Sequence, residues 1–231
     1  MKKKIKKLVN NPIVTIIVPV HNHERYIGRC LRSILNQNYD REKFEIIVVD
    51  DGSTDRSEFA INIFANEIVF LKNKKKMGLP YSLNKALKKV KSTYFVRVDS
   101  DDYINENFLL FLTQYIELNK YMDAVACDYF LIDKKEEIIE RANCIKKPIG
   151  CGIIFRIDQI VKLGLYDRSF LLHEDLDLRS RFSKKHKIHR LEMPLYRYRQ
   201  HEENISKNLT NNKFFRNKLK KKLKKSRQFS T

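Results

Sequence analysis

The chain has 231 residues, of which 42% are hydrophobic, and a formal net charge of +19. This length and hydrophobic share are typical of one globular domain and exclude a disordered chain. We expect neither a membrane span nor a secretory signal, because no run of about 18 apolar residues occurs and no apolar core or cleavage site follows the lysine-rich start.

Most of the positive charge lies at the two ends of the chain. Residues 1–7 contain five lysines and residues 213–231 contain nine Lys or Arg, and neither stretch contains an acid. The body between them has an ordinary charge balance, which argues against a nucleic-acid-binding protein. We therefore divide the chain into three parts, which are a basic N-terminal extension (1–11), a single domain (12–206) and a basic C-terminal tail (207–231).

The C-terminal tail has an amphipathic pattern. Phe215, Leu219 and Leu223 recur at intervals of four and would share one face of a helix, whose other face is almost entirely cationic. This pattern favours a helix lying on an anionic membrane surface. The alternative is a frayed tail that only solubilises the protein.

The four cysteines have neither the spacing of metal-binding pairs nor the density of a disulfide scaffold. We interpret them as reduced thiols of a cytoplasmic protein, in the core or at the surface. They are Cys30, Cys127, Cys144 and Cys151.

Strand and helix patterns alternate four times between residues 13 and 118. Continuous β-branched runs predict buried strands, and apolar residues at helical spacing predict the helices between them. The strands are "IVTIIVPV", "FEIIVV" running into Asp50, "EIVFLK" and "TYFVRV"; the helices are "HNHERYIGRCLRSILNQ", one capped by Ser53 or Thr54, one opened by Pro80, and "ENFLLFLTQYIEL". This alternation predicts an α/β fold with a mainly parallel central sheet and helices on both faces.

After about residue 120 the pattern loosens, and we expect a mixed-sheet second half of the same domain. The predicted strands there are "DAVACDYFLID" and "GCGIIF", the helices are "RIDQIVKLG" and "EDLDLRSRFSKK", and "MPLYRYRQH" is extended.

Polar side chains follow three of the predicted parallel strands. These are His21 and Asn22, Asp50 and Asp51, and the cluster from Asp99 to Asp102. The carboxyl ends of parallel strands meet at one edge of a sheet, where ligands bind. A helix cap explains Asp55 but not three clustered acids. A divalent cation held by oxygen ligands, Mg²⁺ or Mn²⁺, would relieve their repulsion.

Six segments in order resemble the family-2 glycosyltransferases. They are "VTIIVPVHNHERYIGRCLRSILNQ", "IIVVDDGSTD", "GLPYSLNKAL", "YFVRVDSDD", "HEDLDLRSR" and "YRYRQH", and they span roughly residues 12–206. The resemblance implies the GT-A fold of inverting enzymes that use nucleotide-diphosphate sugars. It also implies a function, the transfer of a sugar to a hydroxyl acceptor, and a divalent metal cofactor, Mn²⁺ or Mg²⁺.

The same resemblance implies roles for individual residues of the first half. Asp51 corresponds to the acid that reads the base, and a carboxylate there favours uracil or thymine, hence a UDP- or dTDP-sugar. His21 stands where Tyr is common. The implied nucleotide-sugar-binding residues are Pro19, His21, Asn22, Glu24, Asp51, Asn84, Asp99 and Ser100, and the implied metal ligands are Asp101, Asp99 and His201.

One position departs from the family pattern. Many relatives have an arginine before the asparagine of "SLNKAL" to meet the diphosphate, and this chain has Leu83. Arg97, Arg199 or Lys76 could supply the missing charge, and the sequence does not decide among them.

The catalytic base is implied by "HED" at residues 173–175. In an inverting transfer a carboxylate takes the proton of the attacking hydroxyl. The match to the family's Glu-Asp pair makes Asp175 the base and Glu174 a partner that orients the acceptor. The alternative is that both acids only favour the start of a helix.

These inferences predict an enzyme of cell-surface polysaccharide or lipopolysaccharide assembly, cytoplasmic or peripheral on the inner face of the membrane. The expected partners are the donor, a saccharide or lipid-linked saccharide acceptor and an anionic membrane surface, with no nucleic acid. A sugar nucleotidyltransferase is the second candidate, although "VPVHNHE" lacks its Gly-rich loop with Arg and Lys. A basic nucleic-acid-binding protein is the third.

Overall fold

The computed structural model describes residues 11–201, together with residues 214, 215, 217–219, 221 and 222. One nine-stranded sheet runs through residues 11–201. The predicted N-terminal extension and most of the predicted tail, including Leu223, lie outside the described residues.

The first half of the sheet is parallel, as the sequence predicts. Its strands are β1 (Val14–Val20), β2 (Phe44–Asp50), β3 (Val69–Lys72) and β4 (Tyr94–Arg97). Strand β1 is buried along its whole length and pairs in parallel with both β2 and β4. Since both of its neighbours are also covered, every residue of this strand can be apolar, which explains its continuous β-branched sequence.

The helices between these strands are α1 (Ile27–Leu35), α2 (Ser57–Asn62), α3 (Leu79–Leu87) and α4 (Phe108–Leu118). Helix α1 buries the apolar stripe that predicted it, with Ile27, Cys30, Leu31 and Ile34 fully covered. Helix α2 begins later than expected. Its N-cap residue is Arg56, and neither Ser53 nor Thr54 caps it; Asp55 accepts a hydrogen bond from the Ser57 backbone N–H at its first residue.

The second half is mixed, also as predicted. It contains β5 (Tyr103–Ile104), β6 (Ala124–Ile132), β7 (Ile138–Ala142), β8 (Ile153–Arg156) and β9 (Ile188–Arg199), with helices α5 (Ile157–Lys162) and α6 (Glu174–Phe182). The strand order in the sheet is β3-β2-β1-β4-β8-β6-β9-β5, with β7 paired to β6. Strand β8 joins the two halves, because it pairs antiparallel with both β4 and β6. Strands β5 and β7 were not predicted, and β9 begins five residues earlier than the sequence pattern indicated.

The four cysteines are buried and form no disulfide in the structure. All lie in the core and none at the surface. Among the described residues, no helix combines the length and the apolar composition that a membrane crossing needs.

The described part of the tail is helical, which the amphipathic pattern predicted. Its apolar face does not point to solvent, however. The Phe215 ring lies 6.5 Å from the ring of Phe170, and Leu219 is half-buried, whereas Phe214 remains 63% exposed. The face that we assigned to a membrane therefore packs, in its described part, against the body of the protein.

Candidate active site

A cleft of about 990 Å³ opens at the carboxyl ends of β1, β2 and β4. Residues 148–150 and 171–176 of the second half form its other wall. Of the sequence-predicted site residues it brings together Pro19, His21, Asn22, Glu24, Asp51, Asp99, Ser100, Asp101, Glu174 and Asp175. Of the polar residues that strand order predicted to converge, His21, Asn22, Asp51, Asp99, Ser100 and Asp101 line this cleft, whereas Asp50 and Asp102 do not.

The loop after β1 is tied to the loop after β2 by its polar side chains. Asn22 is in the left-handed region (φ 56°), and its Oδ1 accepts a hydrogen bond from the Thr54 backbone N–H at 2.8 Å. Glu24 accepts one from the Arg56 backbone N–H at 2.8 Å. These two side chains shape one end of the cleft and are not free to point into its centre.

Asp51 lies at the same end and is 4% exposed. Its carboxylate accepts hydrogen bonds from the Asn73 side chain at 2.7 Å and from the backbone N–H groups of Met77 and Gly78, each at 2.8 Å. An ionised carboxylate has about four acceptor positions. Three are used to hold residues 73–78, which leaves one for a donor group of a ligand.

The three acids after β4 do not share one cation. Asp99 accepts two hydrogen bonds from the Arg97 guanidinium, at 2.5 and 2.9 Å. Asp101 contacts His201. Asp102 turns inward and accepts from the Tyr196 hydroxyl at 2.7 Å and from the Arg199 backbone N–H at 2.8 Å. Each acid thus has a protein partner, but burial and the charges of Asp101 and Asp99 still raise the pKa of Asp102 well above its usual range.

Asp101 and His201 form the pair most suited to a metal ion. The distance from Asp101 Oδ2 to His201 Nε2 is 2.9 Å. Burial opposes ionisation of Asp101, but the hydrogen bond with His201 and the charge of His23 lower its pKa below the usual range. The His201 ring also stacks on Tyr26, with ring centroids 5.1 Å apart. Asp101 lines the cleft, and His201, 3% exposed, contacts it from within the protein. A carboxylate and an imidazole are ligand types that fit a divalent cation, which would complete its coordination with substrate phosphates.

A second group of potential ligands lies deeper in the protein. Ligand atoms of Asp99, Asp102 and Cys151 lie within 4.8 Å of one another. Burial raises the pKa of the Cys151 thiol well above its usual range, as do the charges of Asp99 and Asp102, so a cation bound here would have to displace the thiol proton. Asp99 and Asp102 also already accept hydrogen bonds from protein donors.

Arg97 connects the two walls of the cleft. Its guanidinium is 7% exposed and donates to Asp99 on one side and to Glu174 Oε1, at 2.8 Å, on the other. Burial raises the pKa of Glu174 to about 7 with a further contribution from Asp175, against the opposing effect of Arg97. Glu174 Oε1 is therefore engaged with Arg97, and its acceptor-orienting role stays a prediction.

Asp175 is the carboxylate that faces the cleft without such a partner. It lies in the first turn of α6, is half-buried, and makes no hydrogen bond or ion pair to any residue that the structure describes. Gly150 lies against it, since a methyl group at this glycine would be 2.9 Å from Asp175 Cβ and 3.0 Å from Arg97 Nη1. A side chain at position 150 would therefore displace Asp175 or Arg97.

Two predicted site residues, Asn84 and His201, are not among the residues that line the cleft. His201 is 3% exposed and contacts Asp101, which does line it. The Asn84 amide donates to the Tyr166 carbonyl at 2.8 Å and accepts from the Tyr166 N–H at 3.0 Å, so it joins α3 to the second half. Leu83 is fully buried. Among the cations considered in its place, Arg97 and Lys76 line the cleft, whereas Arg199 pairs with Glu136 and with the Asp101 carbonyl.

Sequence reasoning missed His23 and Tyr26. The His23 ring contacts Ser100 Oγ at 2.7 Å and lies edge-on to both Tyr26 and His201. A signal was available, because both residues stand in the same polar loop as His21 and Asn22. The helical stripe of α1 had already accounted for Tyr26, and His23 matched no motif.

The chain is similar in sequence to one protein family and to several glycosyltransferases. A family model described as "Glycosyl transferase family 2" matches residues 15–176. An "Uncharacterized glycosyltransferase" of Haemophilus influenzae is 33% identical over 170 residues, covering 72% of this chain and 47% of that protein. A "Poly(ribitol-phosphate) beta-glucosyltransferase" of Bacillus spizizenii is 40% identical over 101 residues, covering 42% and 16%. The chain spans about half the length of several curated relatives that it matches.

Solved structures share the fold at low sequence identity. TarS residues 1–349 of S. aureus in complex with UDP-GlcNAc has a TM-score of 0.72 at 22% identity, covering 82% of this chain and 59% of that one. The mannosyltransferase PcManGT from Pyrobaculum calidifontis, in complex with GDP-Man and Mn²⁺, has a TM-score of 0.69 at 19% identity, covering 87% and 62%. These likenesses confirm the GT-A fold that the sequence resemblance implied.

Proposed function

Because this chain belongs to glycosyl transferase family 2, we propose that its cleft moves a sugar from a nucleotide-diphosphate donor to a hydroxyl acceptor. One observation carries the proposal. Asp101, which contacts His201, lies at the strand ends on one wall. Asp175, which has no hydrogen bond or ion pair among the described residues, lies on the opposite wall of the same cleft. We call the wall built by the ends of β1, β2 and β4 the donor side, and the wall built by residues 148–150 and 171–176 the acceptor side.

The donor we propose is a UDP- or dTDP-sugar. The remaining acceptor position of Asp51 suits the ring N–H of uracil or thymine. Lys76 is exposed at the same end of the cleft and would supply the positive charge that Leu83 lacks, since Arg97 is held by two carboxylates. The neighbour TarS was solved with UDP-GlcNAc, which agrees with this base, and PcManGT with GDP-Man, which is the alternative.

Asp101 and His201 would hold the divalent cation, with Asp99 beside them. Bound there, the cation supplies charge to stabilise the leaving diphosphate. The mixed carboxylate–imidazole ligand set favours Mn²⁺ over Mg²⁺, because Mg²⁺ prefers oxygen ligands.

The reaction we propose is an inverting displacement with Asp175 as general base. An acceptor hydroxyl seated against Gly150 would lie beside the Asp175 carboxylate, which takes its proton as the hydroxyl oxygen attacks the anomeric carbon. Arg97 keeps Glu174 and Asp99 in fixed positions on either side, so the two walls retain their spacing during attack.

The acceptor side suits an amphipathic substrate. Pro148, Ile149, Leu172 and Leu176 line it, and Leu171 at its edge is 55% exposed. We propose a saccharide or lipid-linked saccharide of surface-polysaccharide assembly, reached at an anionic membrane surface through the basic tail. Sedimentation with vesicles containing anionic lipid, compared with neutral vesicles, tests this location. Equal sedimentation with both would reject it.

The function is tested by nucleotide binding. Calorimetry with UDP, dTDP and GDP, each with and without Mn²⁺, should give Mn²⁺-dependent binding of the first two. Asp101→Asn should weaken that binding about tenfold or more, because a charged ligand to the cation is lost. Asp158→Asn, the same change at an exposed acid of α5, is the control and should bind normally. The absence of nucleotide binding in the wild-type chain with Mn²⁺ would contradict the proposal.

A further inference from the structure

Residues 167–173, which we call the crossing loop, extend over the cleft from the acceptor side. Leu171, Leu172 and His173 line the cleft, and the loop leads directly into the first turn of α6, where Asp175 lies. A methyl group placed on Gly78 would be 2.8 Å from Leu171 Cδ2. The loop therefore reaches the donor-side segment that Asp51 holds through its hydrogen bond to Gly78.

One lysine of the tail, Lys222, contacts both the start of the crossing loop and helix α6. Lys222 Nζ donates to Asp167 Oδ2 at 2.7 Å and to Asp177 Oδ1 at 2.6 Å. Asp167 stands at the start of the crossing loop, and Asp177 is a fully buried residue of α6. The second oxygen of Asp177 accepts from Arg181 at 2.9 Å, so this carboxylate keeps a cation when Lys222 is lost.

The helical segment that contains Lys222 also contacts the middle of the crossing loop. Lys218 Nζ donates to the Ser169 carbonyl at 2.5 Å and lies 4.8 Å from the centre of the Phe170 ring. Phe215 packs against Phe170 as well. The Phe170 side chain is 1% exposed in the structure.

We propose that Lys222 is a positioning residue of the acceptor side. By joining Asp167 to Asp177, it fixes the crossing loop at its start and at the helix that follows, so Leu171 stays over the cleft and Asp175 stays aimed into it. This inference rests on the proposed function for its catalytic consequence. Its structural part, local ordering of residues 167–176 by one ammonium group, stands without that function.

The test compares three full-length variants. Lys222→Met removes the charge and keeps the length of the side chain, and Lys222→Arg restores a charge. Lys221→Met makes the same change at the exposed neighbouring lysine, for which the described residues provide no ion pair. The readouts are amide hydrogen exchange resolved to segments, UDP affinity with Mn²⁺, and turnover of whichever sugar nucleotide the chain accepts.

In Lys222→Met we expect exchange in residues 167–176 to become about tenfold faster, because two charge-assisted hydrogen bonds are lost. Exchange in β1, β2 and β4 should stay unchanged. Turnover should fall about tenfold while UDP affinity changes less than twofold. Lys222→Arg should recover much of the protection, and Lys221→Met should match the wild type.

Unchanged exchange in residues 167–176, or an equal loss of protection across the whole chain, would overturn the proposal. If Lys222→Met does not fold, Asp167→Asn is the second variant. It removes the charge of Asp167 and leaves the contact of Lys222 with Asp177. The same changes in hydrogen exchange support or overturn the proposal. Local loosening in a chain that binds no nucleotide would leave the positioning effect standing and reject the proposed function instead.

Discussion

The donor side and the acceptor side of the cleft are held in place by different kinds of interaction. On the donor side, Asp51 and Asp101 follow buried parallel strands, and their positions are set by strands that the hydrophobic core fixes. On the acceptor side, Glu174 is held by Arg97, and the crossing loop is held by Lys222. This difference indicates that the donor side depends mainly on burial, whereas the acceptor side depends on charge pairs between distant parts of the chain.

The largest expected difference between the donor side and the acceptor side is the effect on turnover of a change at Asp175. If this residue is the general base of the acceptor side, Asp175→Asn should lower turnover about 10³-fold, since a positioned base contributes about 10²- to 10⁴-fold. UDP affinity should stay unchanged, because Asp175 makes no hydrogen bond or ion pair with a residue of the donor side. Steady-state kinetics together with calorimetry check both parts, and Asp158→Asn on α5 is the matched control. Turnover that survives in Asp175→Asn would remove the residue from this role.

A smaller effect is expected at Gly150, where the acceptor side approaches Arg97. The added methyl group of Gly150→Ala would displace Asp175 or Arg97 by a few tenths of an ångström. Such misplacement of a reacting group should lower turnover about tenfold, with UDP affinity unchanged. Gly28→Ala on α1 is the control, because its methyl group first meets the flexible end of Arg32 at 3.4 Å. A parallel loss of UDP affinity in Gly150→Ala would show that the two sides are not independent.

The smallest expected effect is the pH dependence of the charge pair at Asp167. Burial raises the pKa of Asp167, but the hydrogen bonds from Lys222 and Ser169 outweigh it and lower the pKa to about 2. Since this folded-state value lies below that of the unfolded chain, about 3.9, the pair stabilises the fold above about pH 4 and is lost as the pH falls from there to about 2.

Nuclear magnetic resonance of the side-chain carboxyl carbons measures this shift directly. In Lys222→Met the pKa of Asp167 should rise towards its usual value, and in Lys221→Met it should stay low. Lys222 is partly exposed, so solvent screening keeps the effect on overall stability small. An Asp167 pKa that is equal in both variants would mean that the lysine pairing does not order this loop.

The sequence alone predicted most of the donor side because local patterns determine it. A buried strand that ends in Asp50 and Asp51 has one place to deliver those side chains, which is the carboxyl edge of a parallel sheet. Asp102 is the exception. Its neighbour Asp101 faces the cleft, whereas Asp102 turns inward to Tyr196, which is 94 residues away in the chain. No local pattern distinguishes two adjacent aspartates of this kind.

The acceptor side was less accessible to sequence reasoning because its key contacts are long-range. Arg97 was named only as one of three possible replacements for a missing charge, and its contact with Glu174 spans 77 positions. Lys222 was one of many basic residues in a tail whose apolar face had been assigned to a membrane. That face packs on Phe170 instead, since an amphipathic pattern predicts that a face is covered but not what covers it.

The approach of Leu171 to Gly78 has a consequence for the order of events in one catalytic cycle. An acceptor resting on the crossing loop would stand between the nucleotide pocket and bulk solvent. Under the proposed function, the donor would then enter before the acceptor, and the nucleotide diphosphate would leave after the product. This order would keep the activated sugar away from water until a hydroxyl is in place to receive it.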